Sequence, residues 1–151
     1  MKANHALVLL RLFLGVTFAI AVYPKLAAGA HYPVMLRAFL ERFALANAHP
    51  FYAAFLSGTV LPNVATFGVL DEIAETFVAL ALITGTATRL AAVVAMFLVT
   101  NYMFAKGLWW WYPSSNDAAD FMIALALIIG SAGRTFGVDA LLAARFPKIP
   151  W

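Results

Sequence analysis

The chain has no cysteine among its 151 residues. That excludes a disulfide, thiol catalysis and any cysteine-ligated iron–sulfur (Fe-S) cluster held by this chain alone. Charge is scarce as well. Asp, Glu, Lys and Arg make up 11% of the residues, against about 25% in an ordinary soluble domain. The ten basic residues are scattered, without a run or a basic amphipathic helix, so nothing points to nucleic acid. Histidine is limited to His5, His31 and His49, all outside the strongest apolar runs. A haem between helices needs an axial ligand at depth, so no haem is expected on this chain alone. Nor is a metal expected between His31 and His49, which lie 18 residues apart in a connector. No nucleophile–base pair or phosphate loop stands out. The run Gly130-Ser131-Ala132-Gly133 follows no strand and is no dinucleotide fingerprint.

Apolar length is what the chain has instead. Hydrophobic residues make up 64% of it, and mean hydropathy is +0.88. Long uncharged stretches of roughly 20 residues cross a bilayer as helices. The expected architecture is an all-α, integral membrane four-helix bundle forming a single domain over residues 1–151. Its helices are expected at about 4–26, 64–84, 89–106 and 117–131. The first helix somewhat resembles a signal peptide. Its apolar stretch is longer than a usual signal core and contains Arg11, so it is read as a retained membrane helix. Arg11, Gly15, Phe18, Val22 and Lys25 share one of its faces at helical spacing.

The connector after this helix holds Pro33, Pro50 and Pro62. Within it Met35, Leu36, Phe39, Leu40 and Phe43 recur at helical spacing, with Arg37, Glu41 and Arg42 opposite. This predicts an amphipathic helix lying in the membrane interface, within interfacial segments at about 33–61 and 135–146. Gly85 should end the second membrane helix, and the short turn after it makes a helical hairpin with the third. The Trp-rich loop after Lys106 suits an interfacial aromatic belt. Ser114, Ser115 or Asn116 can cap the fourth helix. Four crossings put both termini on one side. Six basic residues lie toward that side and four toward the other, which favours cytoplasmic termini in a bacterial inner membrane.

One stretch breaks the apolar rule. Val64 to Thr84 carries Asp71, Glu72 and Glu75. Acidic groups at membrane depth are costly and are functional candidates by default. Hairpin alternation brings Lys25, Asn101, Tyr102, Lys106, Asp117 and Asp120 toward the same leaflet. Pairing of Lys25 with Asp71 or Glu72, and of Arg11 with Glu75, would make the group a set of structural ties. The sharper expectation is an acid-rich pocket near the outer leaflet. In it Glu72 and Glu75 are the catalytic candidates, and Lys25, Asp71, Asn101 and Tyr102 line the place for a substrate or quinone.

Three pieces carry a family resemblance: LRLFLGVTFAIAVYPKL in the first helix, the Glu72-x-x-Glu75 segment with ALALITGTATRLAA after it, and GSAGRTFGVDALL after the fourth helix. In their order and spacing the chain resembles the DoxX family of small four-helix bacterial membrane proteins, and is similar to the DoxD subunit of thiosulfate:quinone oxidoreductase. Arg11, Lys25, Glu72, Glu75, Arg89, Arg134 and Asp139 match the family pattern. The resemblance implies a subunit of a quinone-linked redox system, respiratory or sulfur-oxidising, with a quinone as cofactor; that this chain holds no metal is expected from its residues. It also implies other membrane or redox subunits, or further copies of the chain, as partners within the lipid bilayer. A non-catalytic assembly or anchoring subunit and a small transporter are the alternatives. Arg11, Arg89, Arg134 and Asp139 are expected in structural ion pairs, with Asp139 either capping or pairing with Arg89 or Arg134.

Overall fold

Apolar residues at helical spacing, with few breakers inside the runs, carry nearly the whole chain into helix. The structure, a computed structural model, describes residues 3–109, 115–130 and 132–145, and none of these lies in a strand. Helix α1 (Ala3–Ala28) runs through Pro24. A 3-10 turn, Gly29–His31, leads into α2 (Tyr32–Phe39), with Pro33 in its first turn, where its missing N–H costs nothing. The path continues through a π turn, Leu40–Ala44, into the short α3 (Leu45–Asn47). Then α4 (Pro50–Phe55), a second π turn, Leu56–Val60, and a 3-10 turn, Leu61–Asn63, complete the connector. The remaining helices are α5 (Val64–Thr84), α6 (Thr88–Ala105), α7 (Asn116–Gly130) and α8 (Val138–Arg145).

Helix α1 packs on α5, α5 on α6, α6 on α7 and α7 on α1. The four close around one apolar core that includes Leu14, Phe18, Val78, Leu82 and Leu127. Helix α6 brings Ala91, Ala92 and Ala95 to that core, each fully buried. Small side chains at a helix contact let backbones approach closely. Large apolar side chains also cover the outside: Ile20 is 70% exposed, Phe97 65% and Ile129 75%. A water-soluble molecule seldom shows that much apolar surface, whereas lipid accepts it. Two helical stretches, His5–Asn47 and Thr88–Ala105, are long and apolar enough to cross a membrane by length and composition. The chain is an all-α membrane protein.

The expected range of α5 coincides with the observed helix, and Gly85 ends it in the left-handed conformation at φ 70°. Ser115 caps α7, its Oγ accepting from the Asp117 N–H at 3.1 Å. Trp110 and Trp111 of the Trp-rich loop, Ser131, Pro147 and Pro150 lie outside the described residues.

The connector differs from the expectation of one apolar face. Leu40, Ala44, Leu56 and Val60 form a second apolar cluster with Val64 of α5 and Ala105 of α6. Leu36 packs against this cluster, but Met35, Phe39 and Phe43 are exposed. At 100° per residue the apolar stripe of α2 is broad, and only one edge of it can meet the bundle. The two arms of the connector therefore fold over one end of the bundle.

Candidate functional site: a polar cluster beside an apolar cavity

Asp71 and Glu75 are four residues apart on α5, so one stands above the other on a single helix face. Lys25, near the end of α1, reaches both: Nζ lies 2.6 Å from Asp71 Oδ2 and 2.7 Å from Glu75 Oε2. Tyr102 of α6 bridges them from the other side. Its hydroxyl oxygen lies 2.7 Å from Asp71 Oδ1 and 2.6 Å from Glu75 Oε1. Lys25, Asp71, Tyr102 and Glu75 thus form a closed ring of contacts. Tyr32, in the first turn of α2, donates to Asp71 Oδ2 at 2.6 Å. The Lys25 ammonium also stands 5.6 Å from the Tyr32 ring centre and 5.7 Å from that of Tyr102, where the ring faces attract a cation. Glu75 is only 1% exposed. Charge so deeply buried persists only when paired and hydrogen-bonded.

The ring forms one wall of a cavity of about 840 Å³ whose remaining lining is overwhelmingly apolar, with Leu36, Phe55, Phe67 and Leu98 among its walls. Three helices of the bundle and both arms of the connector build it. Both π turns contribute to it through Leu40, Leu56 and Val60. Such turns are often found at functional sites. Asn101 also borders the cavity, but its amide is engaged. Its Oδ1 accepts from the Tyr52 hydroxyl at 2.7 Å, and its Nδ2 donates to the Phe97 carbonyl at 2.7 Å. Burial pushes the Tyr52 phenol up to about 12, so it stays a donor at neutral pH. The Tyr52–Asn101 bond latches α4 onto α6.

The opposite end of the bundle holds two more buried charges, Arg11 and Asp139. Arg11, 2% exposed, donates to the carbonyls of Ala132, Thr135 and Phe136 at 3.2, 3.4 and 3.0 Å. Asp139, fully buried, accepts from the backbone N–H groups of Ala87 and Thr88 at 2.6 and 2.9 Å. It caps α6 from a distant part of the chain, and its own N–H donates to the Gly85 carbonyl at 2.9 Å. A side chain at Gly133 would strike the Asp139 carboxylate and the Thr88 hydroxyl, and one at Gly85 would strike the Arg11 guanidinium.

Several site expectations are corrected by this geometry. Glu72 does not join Glu75: it borders a separate outer depression with Leu26, Ile73 and Thr76. At 100° per residue Asp71 stands about 40° to one side of Glu75 and Glu72 about 60° to the other, and Lys25 and Tyr102 meet the Asp71 side. Arg11 does not serve Glu75 either. Its guanidinium sits beside Gly85, ten residues further along α5, or about 15 Å at 1.5 Å per residue. The counter-charge of Glu75 is Lys25, whose flexible stem lets Nζ sit between two stacked carboxylates. Arg134 is exposed and makes no ion pair among the described residues. Arg89 lies in the first turn of α6. On the surface Lys106 pairs with Asp117 at 2.7 Å, and Asp120, though buried, stands apart from the ring.

Tyr32 and Tyr52 were not among the expected site residues. Both belong to the connector, and no periodicity in the sequence says that it folds back over the bundle.

The DoxX family profile matches residues 6–109, more than two thirds of the chain. The chain belongs to the DoxX family. The match covers α1 from Ala6 onward, the whole connector, α5 and α6, and so contains every residue of the ring and the latch. It ends before α7, so the GSAGRTFGVDALL segment lies outside the matched residues. Comparison with curated proteins and with solved structures finds no match. For this DoxX-family chain the ring and its cavity therefore have to be read from their own chemistry.

Proposed function

We propose that this DoxX-family protein is a membrane subunit of a quinone-linked redox system and that its cavity receives the quinone. The observation that carries this reading is the pairing of one charged, hydrogen-bonded ring with an otherwise apolar cavity of about 840 Å³. Ligand pockets of roughly 300–1,000 Å³ with an apolar lining and a few convergent polar groups suit small lipophilic molecules. A quinone has that shape of chemistry, with carbonyl acceptors on a ring and an apolar tail. The donor set fits it. Lys25 has three N–H protons, and its two carboxylate contacts leave one for a ligand oxygen. The apolar walls suit the tail. When bound, a quinone would supply two-electron, two-proton redox chemistry. The residues of this chain bind and orient its head, exclude water from it and hold protons beside it. In this reading Glu75 and Asp71 are the proton-handling groups. A sulfur oxyanion would reach the system through a partner subunit. The helices cross a bacterial inner membrane four times, with cytoplasmic termini.

The test is purification in mild detergent followed by solvent extraction. The expected outcome is a co-purifying quinone, lost in a cavity-filling variant such as Ala74→Trp. An absence of bound quinone, and of binding when one is added, would overturn the reading. A second reading, a non-catalytic assembly subunit, is favoured by Glu72. This half-buried carboxylate faces away from the bundle with no ion pair among the described residues. Recovery of a large partner by wild type, lost in Glu72→Gln, together with no quinone, would support it.

A further inference from the structure

The ring contains one hydrogen bond more than its evident protons can make. The Tyr102 hydroxyl carries a single proton, yet its oxygen lies within 2.7 Å of a carboxylate oxygen on each side. A hydroxyl can donate once and can accept as well. It therefore donates to one carboxylate and needs a proton from the other. The remaining groups do not supply it. Lys25 Nζ faces Asp71 Oδ2 and Glu75 Oε2, the far oxygen of each acid. The Tyr32 hydroxyl donates to Asp71 Oδ2. Charge gives the same answer. With both acids ionised, the ring would hold two negative charges against one positive, and an uncompensated charge beside the buried Glu75 is expensive.

From this geometry we infer that the ring keeps one extra proton at neutral pH, shared by Asp71 and Glu75 through Tyr102, and that ligands enter the cavity with that proton as part of their binding site. The acid that carries the proton donates to Tyr102, and Tyr102 donates to the other acid. The ring then holds one positive and one negative charge and is neutral. The groups that face it are Lys25 from α1, Tyr32 from α2, Asp71 and Glu75 of α5 and Tyr102 from α6. Glu72 lies outside the ring, bordering a separate depression. The consequence for recognition is directional. An acceptor-only head, such as a quinone carbonyl, takes the remaining Lys25 N–H and is favoured by the neutral, protonated ring over the net-negative ring left when the proton is lost. A donor head, such as a phenol or quinol hydroxyl, binds after the ring has released its proton. The identity of the ligand rests on the function proposed above; the proton does not.

The test is infrared spectroscopy of the full chain in detergent, read at the carboxylic-acid C=O stretch and free of any ligand. Asp120→Asn serves as the background, because Asp120 is a second buried acid. At neutral pH that background should show a protonated carboxyl band, abolished by Glu75→Gln and by Asp71→Asn alike. Should either variant fold poorly, Tyr102→Phe decides: removing the bridge should shift the band to higher frequency. A short-chain benzoquinone should then bind more weakly above the ring's titration than below it. A background protein with no acid band, or a band unmoved by Tyr102→Phe, would overturn the shared proton, even with quinone bound. A band that behaves as expected in a protein that binds no quinone would uphold the proton and overturn the quinone reading instead.

Discussion

The two ends of the bundle solve the problem of buried charge in opposite ways. At one end Arg11 and Asp139 are bound almost wholly by backbone. Arg11 gathers three carbonyls and Asp139 two N–H groups. Glycines at 85 and 133 leave no room for anything else. At the other end Lys25, Asp71, Glu75 and Tyr102 are bound mainly by one another, beside a cavity of about 840 Å³. Backbone partners cannot move or titrate, so the first end holds the chain in place. Side-chain partners can exchange protons and give way to a ligand, so the second end has the means to work. Depth in the bundle does not separate the ends; the kind of partner does.

The comparison breaks most severely at the backbone-bound end. Asp139→Ala leaves one buried and one part-buried N–H group without an acceptor, each worth about 1–3 kcal/mol. The expected loss, about 2–6 kcal/mol, should appear as a large drop in thermal midpoint in detergent. Gly133→Ala should be at least as damaging. Retention of wild-type stability by both variants would dissolve the contrast between the ends. Next comes Lys25→Met, which strands two stacked acids. Removing one partner of a buried pair costs about 3–5 kcal/mol. Release of the shared proton constraint should soften this, because both acids can then protonate. Lys25→Met should therefore recover stability as pH is lowered, whereas Asp139→Ala should not. The sign follows from the groups: stranded carboxylates lose their penalty as they bind protons.

Glu75→Gln lies further down the scale. It keeps the shape of the side chain and a contact to Tyr102, so stability should change by about 1 kcal/mol or less. Ligand binding in the cavity should nonetheless fall. Collapse of this variant into polydisperse material would make the ring a structural tie. Tyr52→Phe removes the latch to Asn101 and should cost about 1 kcal/mol. Its effect should be local, read as faster hydrogen exchange in α4 with α5 unchanged. The exposed Arg37–Glu41 pair, at 3.4 Å, marks the bottom: Arg37→Ala should fall below about 1 kcal/mol.

Much of this was legible in the sequence. Apolar run length placed α1, α5, α6 and α7, and Gly85 ended α5 where a left-handed cap was expected. Chain alternation brought Lys25, Asp71, Glu75 and Tyr102 to one end, because a hairpin fixes which helix ends are neighbours. Rotation about a helix was the harder quantity. Glu72 and Glu75 look alike as a pair of acids, yet Asp71 and Glu72 flank Glu75 on opposite sides, and Lys25 and Tyr102 reach only the Asp71 side. Reach was harder still. Arg11 is a long side chain, but the tail brings three carbonyls to it and Glu75 is out of its reach. The connector was least legible of all. Its apolar stripe is broad enough to satisfy either lipid or the bundle, and only the folded arrangement shows Tyr32 and Tyr52 turned inward.

The central claim is that the cavity beside the ring binds a quinone-like molecule. The most direct measurement is the thermal midpoint of the purified protein with and without a short-chain benzoquinone, in wild type and in Ala74→Trp. Saturation at about 100 times the dissociation constant should stabilise wild type by about 2.7 kcal/mol, raising its midpoint, and should leave the filled variant unmoved. An unchanged wild-type midpoint, or an equal rise in both proteins, would contradict the claim.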